Sequence, residues 1–133
     1  MSASFTLPLR VRFAETDAMA IVHHARYFEY FEAARVGLMD ALGLPYAEFV
    51  RMGYHLPLVE SHAFYRQPAR FDDRLEIEAQ LQPLNGPRLT ITYKVTREGK
   101  LLAEGKTVHA FINKTGAAIK PPKEFLERMR AIN

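Results

Sequence analysis

The spacing of hydrophobic residues changes along the chain, and each change marks a different kind of element. Residues 5–13 alternate apolar and polar side chains, which is typical of a half-buried strand, and Pro8 indicates an edge position. From about His24 to Leu42 the apolar residues recur at every third or fourth position, which is the period of an amphipathic helix that ends at Gly43. A single long helix with one apolar face needs a sheet to cover.

After this helix the pattern returns mainly to alternation. Residues 45–52 can form one or two helical turns before Gly53. Four further strands are predicted at about 55–66, 73–83, 87–98 and 101–113, separated by turn-forming sequences such as residues 85–87, Asn-Gly-Pro. A short helix is predicted over residues 123–132. The order of one strand, one long helix and four strands joined by tight turns predicts an α+β domain with an antiparallel sheet.

Composition narrows the class of protein. The 133 residues are expected to form one domain over residues 1–133. Neither an apolar run of the roughly 18 residues that a membrane span needs nor a signal-peptide pattern is visible, so a cytoplasmic location is expected. The net charge of +3 is spread along the chain, which argues against dedicated nucleic-acid binding. Because there is no cysteine, thiolate metal sites and a cysteine nucleophile are excluded.

The segment from Phe13 to Arg35 carries the candidate chemistry. Asp17 lies in a short apolar stretch just before two histidines and the start of the predicted helix. A carboxylate near the N–H groups of a helix start can attack a carbonyl or activate water, while an N–H group stabilises the resulting oxyanion. Aspartate is also common in turns and helix caps. Spacing alone therefore leaves both the catalytic and the structural role of Asp17 open.

His23 and His24 are adjacent, so in a helix their side chains would diverge by about 100° and would not face one site. No metal site is predicted from this pair. His24 is a candidate to orient substrate or to polarise a carbonyl through its backbone N–H, and it is equally compatible with a polar residue that starts a helix.

Two other pairs of charged residues have a structural and a functional interpretation. Glu32 and Arg35 are three residues apart in the predicted helix, which favours an ion pair, although Glu32 is also placed to face a pocket. Arg66 and Arg70 flank the end of the second predicted strand. Guanidinium groups bind phosphate oxygens in pairs of hydrogen bonds, and a solvated basic rim is the simpler alternative for either arginine.

The segment Asp17-Ala-Met-Ala-Ile-Val-His-His-Ala-Arg-Tyr27, followed by Phe31-Glu32-Ala33-Ala34-Arg35, resembles the hotdog-fold acyl-CoA thioesterases of the YbgC-like and 4-hydroxybenzoyl-CoA thioesterase (4HBT-like) branch. The pattern of that family is Asp-x-x-Gly-(Ile/Val)-Val-x-(His/Tyr)-x-x-Tyr, then Glu-x-Ala-Arg in the same helix. Residues 65–73, Tyr-Arg-Gln-Pro-Ala-Arg-Phe-Asp-Asp, are similar to its second strand and turn. The chain differs at Ala20, where the family usually has glycine.

The resemblance implies a hotdog fold, in which a five-stranded antiparallel sheet with strand order 1-3-4-5-2 wraps around one long central helix. It implies hydrolysis of the thioester of a small or medium acyl-CoA, with coenzyme A entering as part of the substrate and with no metal or redox cofactor. It also implies homodimers joined through the second strand, with active sites at the subunit interface, and further pairing of dimers into homotetramers.

Individual roles follow from the same resemblance. Asp17 would be the nucleophile or general base, and His24 would mark the helix N-terminus that polarises the carbonyl. Substrate-binding roles are assigned within the motif to Ala20, Ile21, Val22, His23 and Tyr27. Arg66 and Arg70 are candidates to bind the coenzyme A phosphates, on the chemistry of their guanidinium groups. If residue 20 needs a positive φ, alanine there costs about 1 kcal/mol or narrows the acyl pocket. The alternative function is a non-catalytic module of the same fold that binds acyl-CoA or lipid, or another protein. Retention of Asp17 and His24 favours catalysis.

Overall fold

A computed structural model describes residues 3–84 and 86–132 of the chain, so the first residue of the turn predicted at 85–87 lies outside the described residues. The elements, in chain order, are β1 (Ser4–Arg10), a 3-10 turn (Phe13–Glu15), α1 (Arg26–Ala41), α2 (Tyr46–Arg51), β2 (Leu58–Tyr65), β3 (Arg74–Leu81), β4 (Leu89–Arg97), β5 (Lys100–His109) and α3 (Lys123–Ile132). The predicted order of one strand, one long helix and four further strands is confirmed.

The five strands form one sheet in the order β1-β3-β4-β5-β2, and every neighbouring pair is antiparallel. This is the strand order that the family resemblance implies, and it confirms the α+β class. The chain passes from β1 through α1 and α2 to β2, which pairs with β5 at one edge of the sheet, while β1 occupies the other edge.

The helix α1 packs against the sheet at a point where one strand has no side chain. A Cβ atom at Gly105 in β5 would lie 2.3 Å from Cε2 of Phe31, which is closer than real side chains approach. Glycine therefore lets the Phe31 ring sit directly on the sheet, where it stacks on Tyr93 of β4 with ring centroids 4.5 Å apart. Phe31 is fully buried, as are the alternate residues of β3 and β4 that face it.

The predicted start of the long helix is two residues too early. The N–H of Ala25 donates to Nδ1 of the His23 ring (3.2 Å), and α1 begins only at Arg26. His23 and His24 thus precede the helix, and their ring centroids lie 4.0 Å apart, so the predicted divergence of the two side chains is wrong. Within residues 3–84 and 86–132, no group of three or more acidic or histidine side chains is placed to hold a metal ion.

The predicted ion pair between Glu32 and Arg35 is also wrong. Of the ion pairs among the described residues none joins these two, and Arg35 instead donates from Nη1 to the Tyr93 hydroxyl (3.1 Å). The two residues line a cavity of about 240 Å³ on α1 together with Val36, Met39, Tyr46, Leu56 and Ile91. Glu32 thus faces a pocket, which was the alternative interpretation of its position.

A chain of hydrogen bonds runs through the core from Arg35 to His109. The Tyr93 hydroxyl lies 2.7 Å from Thr107 Oγ1, which lies 2.9 Å from Nε2 of His109. Nδ1 of His109 lies 3.1 Å from the carbonyl oxygen of Leu56. Because a carbonyl can only accept, Nδ1 carries the proton of the neutral ring, and Nε2 accepts from the Thr107 hydroxyl. Burial lowers the pKa of His109 to about 4 from its ordinary value of 6.5, so the ring is neutral.

This buried histidine makes stability depend on pH. Between its unfolded pKa of 6.5 and its folded pKa of about 4, only the unfolded chain binds a proton at this residue. The contribution of neutral His109 to stability is therefore complete above pH 6.5. As the pH falls from 6.5 towards 4, the free energy of unfolding decreases by about 1.4 kcal/mol per pH unit.

In urea titrations from pH 7 to pH 5, we expect His109→Gln to be less stable than the wild type at pH 7 and to have a flatter pH dependence of stability. His55→Gln, at a half-buried histidine outside the chain of bonds, should keep the slope of the wild type; an unchanged slope in His109→Gln would contradict the assignment.

Candidate active site

Residues 16–22 form a short hairpin that presents Asp17. Thr16 pairs with Val22 across its base, and the Asp17 N–H donates to the Ile21 carbonyl (2.9 Å). The carboxylate is half-buried, and its Oδ1 accepts the Met19 N–H (2.9 Å), which fixes the orientation of the side chain. No group of the described residues bonds to its Oδ2. One carboxylate oxygen is thus held by the hairpin and the other is available to a ligand.

At the tip of this hairpin, Ala20 has a φ of +63°. Its N–H donates to the Asp17 carbonyl (2.9 Å), so the left-handed conformation closes the turn that carries the carboxylate. An L-residue with a Cβ atom is strained in this conformation, whereas glycine is not. Alanine at position 20 therefore carries the strain that the sequence analysis expected for a positive φ there.

Residues 69–70, in the segment after β2, form backbone contacts with the hairpin. Ile21 pairs with Arg70, and the Val22 N–H donates to the carbonyl of the fully buried Ala69 (2.8 Å). The hairpin is therefore anchored to the main fold by backbone bonds, and Asp17 lies on a fixed support.

The backbone before α1 leaves one N–H group free. The His23 N–H donates to the Glu15 carbonyl (2.9 Å), and the Ala25 N–H donates to the His23 ring. The described residues contain no acceptor for the N–H of His24, the residue between them. The carbonyl of His24 accepts the Tyr65 hydroxyl (2.9 Å), which holds this peptide in place from the end of β2. A fixed donor without a protein partner is a suitable group for an oxyanion.

Asp17 and His24 both line one cavity of about 310 Å³. Its lining comprises Asp17, Met19, Ile21, Val22, His24, Tyr27, Tyr65, Arg66, Gln67 and Pro68. The carboxylate and the helix start thus share a pocket with mostly apolar walls. Burial raises the pKa of Tyr27 and of Tyr65, so both hydroxyl groups remain protonated at neutral pH.

The cavity gathers most of the residues named from the sequence, namely Asp17, His24, Ile21, Val22, Tyr27 and Arg66. Three others do not line it. Ala20 lies at the exposed tip of the hairpin, and the His23 ring is occupied by the Ala25 N–H. Arg70 lies opposite Ile21 in an isolated bridge and donates its backbone N–H to the Asp73 carboxylate (2.8 Å), but it does not line the cavity.

The sequence-based site lacked four residues of the lining: Met19, Tyr65, Gln67 and Pro68. Tyr65 matters most, because its hydroxyl holds the His24 carbonyl and its ring packs edge-on against Tyr27 with centroids 5.2 Å apart. Tyr65 is 41 residues from His24, so no local spacing relates them. Only the family resemblance of residues 65–73 gave a signal for this side of the cavity.

A family model described as the thioesterase-like superfamily matches residues 11–129, which includes the hairpin, α1 and all strands except β1. The chain belongs to the thioesterase-like superfamily. Among solved structures it is similar to hypothetical protein TT1821 from Thermus thermophilus, at 38% identity and a TM-score of 0.91, with 96% of this chain and 98% of that one covered.

Two named relatives extend the comparison. The acyl-CoA thioester hydrolase YbgC of Escherichia coli O6:H1 is 29% identical over 105 residues, which is 78% of each chain. A 4-hydroxybenzoyl-CoA thioesterase variant, solved with 4-hydroxybenzoyl-CoA, has a TM-score of 0.86 at 23% identity, with 96% of this chain and 99% of that one covered, and so supports the fold alone. The hotdog fold and the predicted class, a thioester hydrolase, are thereby confirmed for this member of the superfamily. No described helix is long and apolar enough to span a membrane.

The strain at Ala20 gives a prediction for this superfamily member. Ala20→Gly should raise the free energy of unfolding by about 1 kcal/mol, because glycine adopts φ near +63° without a Cβ clash. Ala33→Gly, the same change at an exposed position inside α1, should lower it by about 1 kcal/mol. Urea denaturation of the two variants measures both effects, and a loss of stability in Ala20→Gly would show that the turn is not strained.

Proposed function

We propose that this chain hydrolyses the thioester of an acyl-CoA, with Asp17 as nucleophile or general base and the His24 N–H polarising the thioester carbonyl. The observation that carries this proposal is that Asp17 and His24 line one cavity. Among the described residues, one carboxylate oxygen of Asp17 and the backbone N–H of His24, beside a helix start, have no hydrogen-bond partner. Attack on a carbonyl needs a base or nucleophile and an oxyanion donor, and these two groups supply them.

Two routes use the same groups. In the first, Asp17 attacks the carbonyl carbon, the C–S bond breaks, the coenzyme A thiolate leaves and takes a proton, and water then hydrolyses the mixed anhydride. In the second, Asp17 removes a proton from water as the resulting hydroxide attacks, and that proton passes to the departing sulfur. Each route ends with a carboxylic acid and a free thiol, and in each the His24 N–H stabilises the oxyanion. Neither requires a metal or a redox cofactor.

The substrate side of the proposal rests on the cavity and its rim. A volume of about 310 Å³ with mostly apolar walls suits a small or medium acyl group. Arg66 lines the cavity and pairs with Glu104 (Nη2 to Oε2, 2.8 Å), while Arg70 is exposed next to it. We propose that one or both bind coenzyme A phosphates. The name of the YbgC relative, an acyl-CoA thioester hydrolase, supports the same substrate class.

We also propose that the chain is a homodimer joined through β2, that dimers pair into tetramers, and that the protein acts in the cytoplasm. The dimer is supported by the position of β2 at the sheet edge and by its exposed apolar residues Leu58, Val59, Phe64 and Tyr65. An open apolar edge strand is a template for pairing with another strand. Because Tyr65 also lines the cavity, such a dimer would bring each site close to the subunit interface.

The catalytic role is tested by Asp17→Asn. An amide oxygen still accepts the Met19 N–H, so the hairpin should keep its shape while the base is lost. We expect kcat for thiol release from acyl-CoA to fall by at least roughly a hundredfold. The control variant Asp40→Asn changes an exposed carboxylate near the end of α1 and should keep the kcat of the wild type. Near-normal turnover in Asp17→Asn would refute the assignment. Failure of the wild type to hydrolyse any of a panel of short, medium and aromatic acyl-CoAs, with coenzyme A still bound, would indicate a binding module instead.

The dimer is tested at the edge strand. Val59→Lys places a charge on β2, and we expect it to weaken self-association by about tenfold or more in sedimentation velocity. Val50→Lys, at a similarly exposed valine in α2, should sediment like the wild type. Sedimentation of the wild type as a monomer at micromolar concentration would refute the proposed dimer.

A further inference from the structure

Glu15 is the buried carboxylate of the described residues, with a side chain only 8% exposed. Its Oε1 accepts both the backbone N–H of Arg12 and the hydroxyl of Tyr30, each at 2.9 Å, and its Oε2 lies 3.2 Å from Nε of Arg12. Burial raises the pKa of Glu15, but these hydrogen bonds lower it more, so the group stays ionised below its ordinary pKa. A buried charge with three donors is costly to disturb.

Glu15 also bonds through its backbone at the base of the hairpin of residues 16–22. The Glu15 carbonyl accepts the His23 N–H (2.9 Å), and the next residue, Thr16, pairs with Val22. Asp17 follows directly. These backbone bonds form a short ladder between residues 15–17 and residues 22–24. The first side of the ladder ends at Asp17, and the second side ends at His24.

Tyr30 attaches this ladder to α1. It lies in the second turn of the helix, it is 2% exposed, and its ring packs edge-on against Tyr27, a residue of the cavity wall. The bond at His23 lies before the helix, and the Val22 N–H bond to the Ala69 carbonyl ties the hairpin to the segment after β2. The Tyr30 bond to Glu15 adds a direct attachment to the second turn of α1.

We propose that Glu15 is a positioning residue for the reaction, because its bond to Tyr30 and its carbonyl bond to His23 together set the placement of the Asp17 carboxylate relative to the His24 N–H. This inference rests on the proposed function. In this mechanism the His24 N–H holds the thioester carbonyl, and Asp17 attacks it or activates water. The rate of attack depends on the separation of these two groups to within a fraction of an ångström. The arginines proposed to bind coenzyme A, Arg66 and Arg70, bond to neither Glu15 nor Tyr30 among the described residues.

The test compares two buried tyrosines with equal exposure. Tyr30→Phe removes the hydroxyl that contacts Glu15, and Tyr93→Phe removes one that contacts Thr107 and Arg35, away from the hairpin. Both changes break buried hydrogen bonds and should lower the melting temperature. At a temperature well below both transitions, we expect Tyr30→Phe to lower kcat about tenfold or more with KM changed less than about twofold, while Tyr93→Phe keeps both constants.

A second comparison asks whether the acceptor geometry of Glu15 is what matters. In Glu15→Gln one amide oxygen can still accept from both Tyr30 and the Arg12 N–H, as Oε1 does, and the mostly exposed Arg12 side chain can turn to solvent. Glu15→Ala removes the acceptor altogether. We therefore expect the glutamine variant to retain about half of kcat or more, and the alanine variant to lose at least as much as Tyr30→Phe.

The outcomes separate this inference from the function on which it rests. Equal losses of kcat in Tyr30→Phe and Tyr93→Phe, a loss confined to KM, or equal impairment of the glutamine and alanine variants would overturn the positioning role. If Glu15→Ala does not fold, the comparison of the two tyrosines still decides. Full activity of Asp17→Asn would overturn the proposed function, whereas an inactive Asp17→Asn beside a fully active Tyr30→Phe would overturn the positioning role alone.

Discussion

The close approach of α1 to the centre of the sheet is the constraint on which the rest of the structure depends. Gly105 leaves room for the Phe31 ring, which stacks on Tyr93 and fixes the helix over β4 and β5. Interiors are packed too densely for the helix to shift without strain. Once the helix is fixed there, its N-terminus lies beside the segment that follows β2, and the hairpin that carries Asp17 is held between the two.

Polar groups inside this fold are tied to the same helix. Arg35 begins the hydrogen-bonded chain through Tyr93 and Thr107 to His109, and Tyr30 binds the carboxylate of Glu15. In a low-dielectric interior a polar group must be fully paired, so each of these bonds specifies one arrangement of the helix against its neighbours. The first chain holds the middle of α1 to β4 and β5, and the second holds its N-terminal part to the hairpin.

The site shows a division between held and free groups. The hairpin engages one oxygen of Asp17, and its neighbours engage the N–H groups on either side of His24. Within residues 3–84 and 86–132 the second oxygen and the His24 N–H have no hydrogen-bond partner. In the proposed mechanism these two groups are the base and the oxyanion donor, which together with water are what thioester hydrolysis requires. Strain at Ala20 is the cost of the turn that presents the carboxylate.

Periodicity and short motifs are local properties, so they were enough to predict the order of elements, the α+β class and, through the family motif, Asp17 and His24 as candidates. Long-range folding sets the contacts by which Tyr65 holds the His24 peptide and Arg35 bonds to Tyr93 instead of Glu32, because these partners are 41 and 58 residues apart. The tertiary structure also decided that α1 starts at Arg26, because the His23 ring takes the N–H of Ala25. Which of the candidate residues share a cavity depends on such long-range contacts, and no local pattern encodes them.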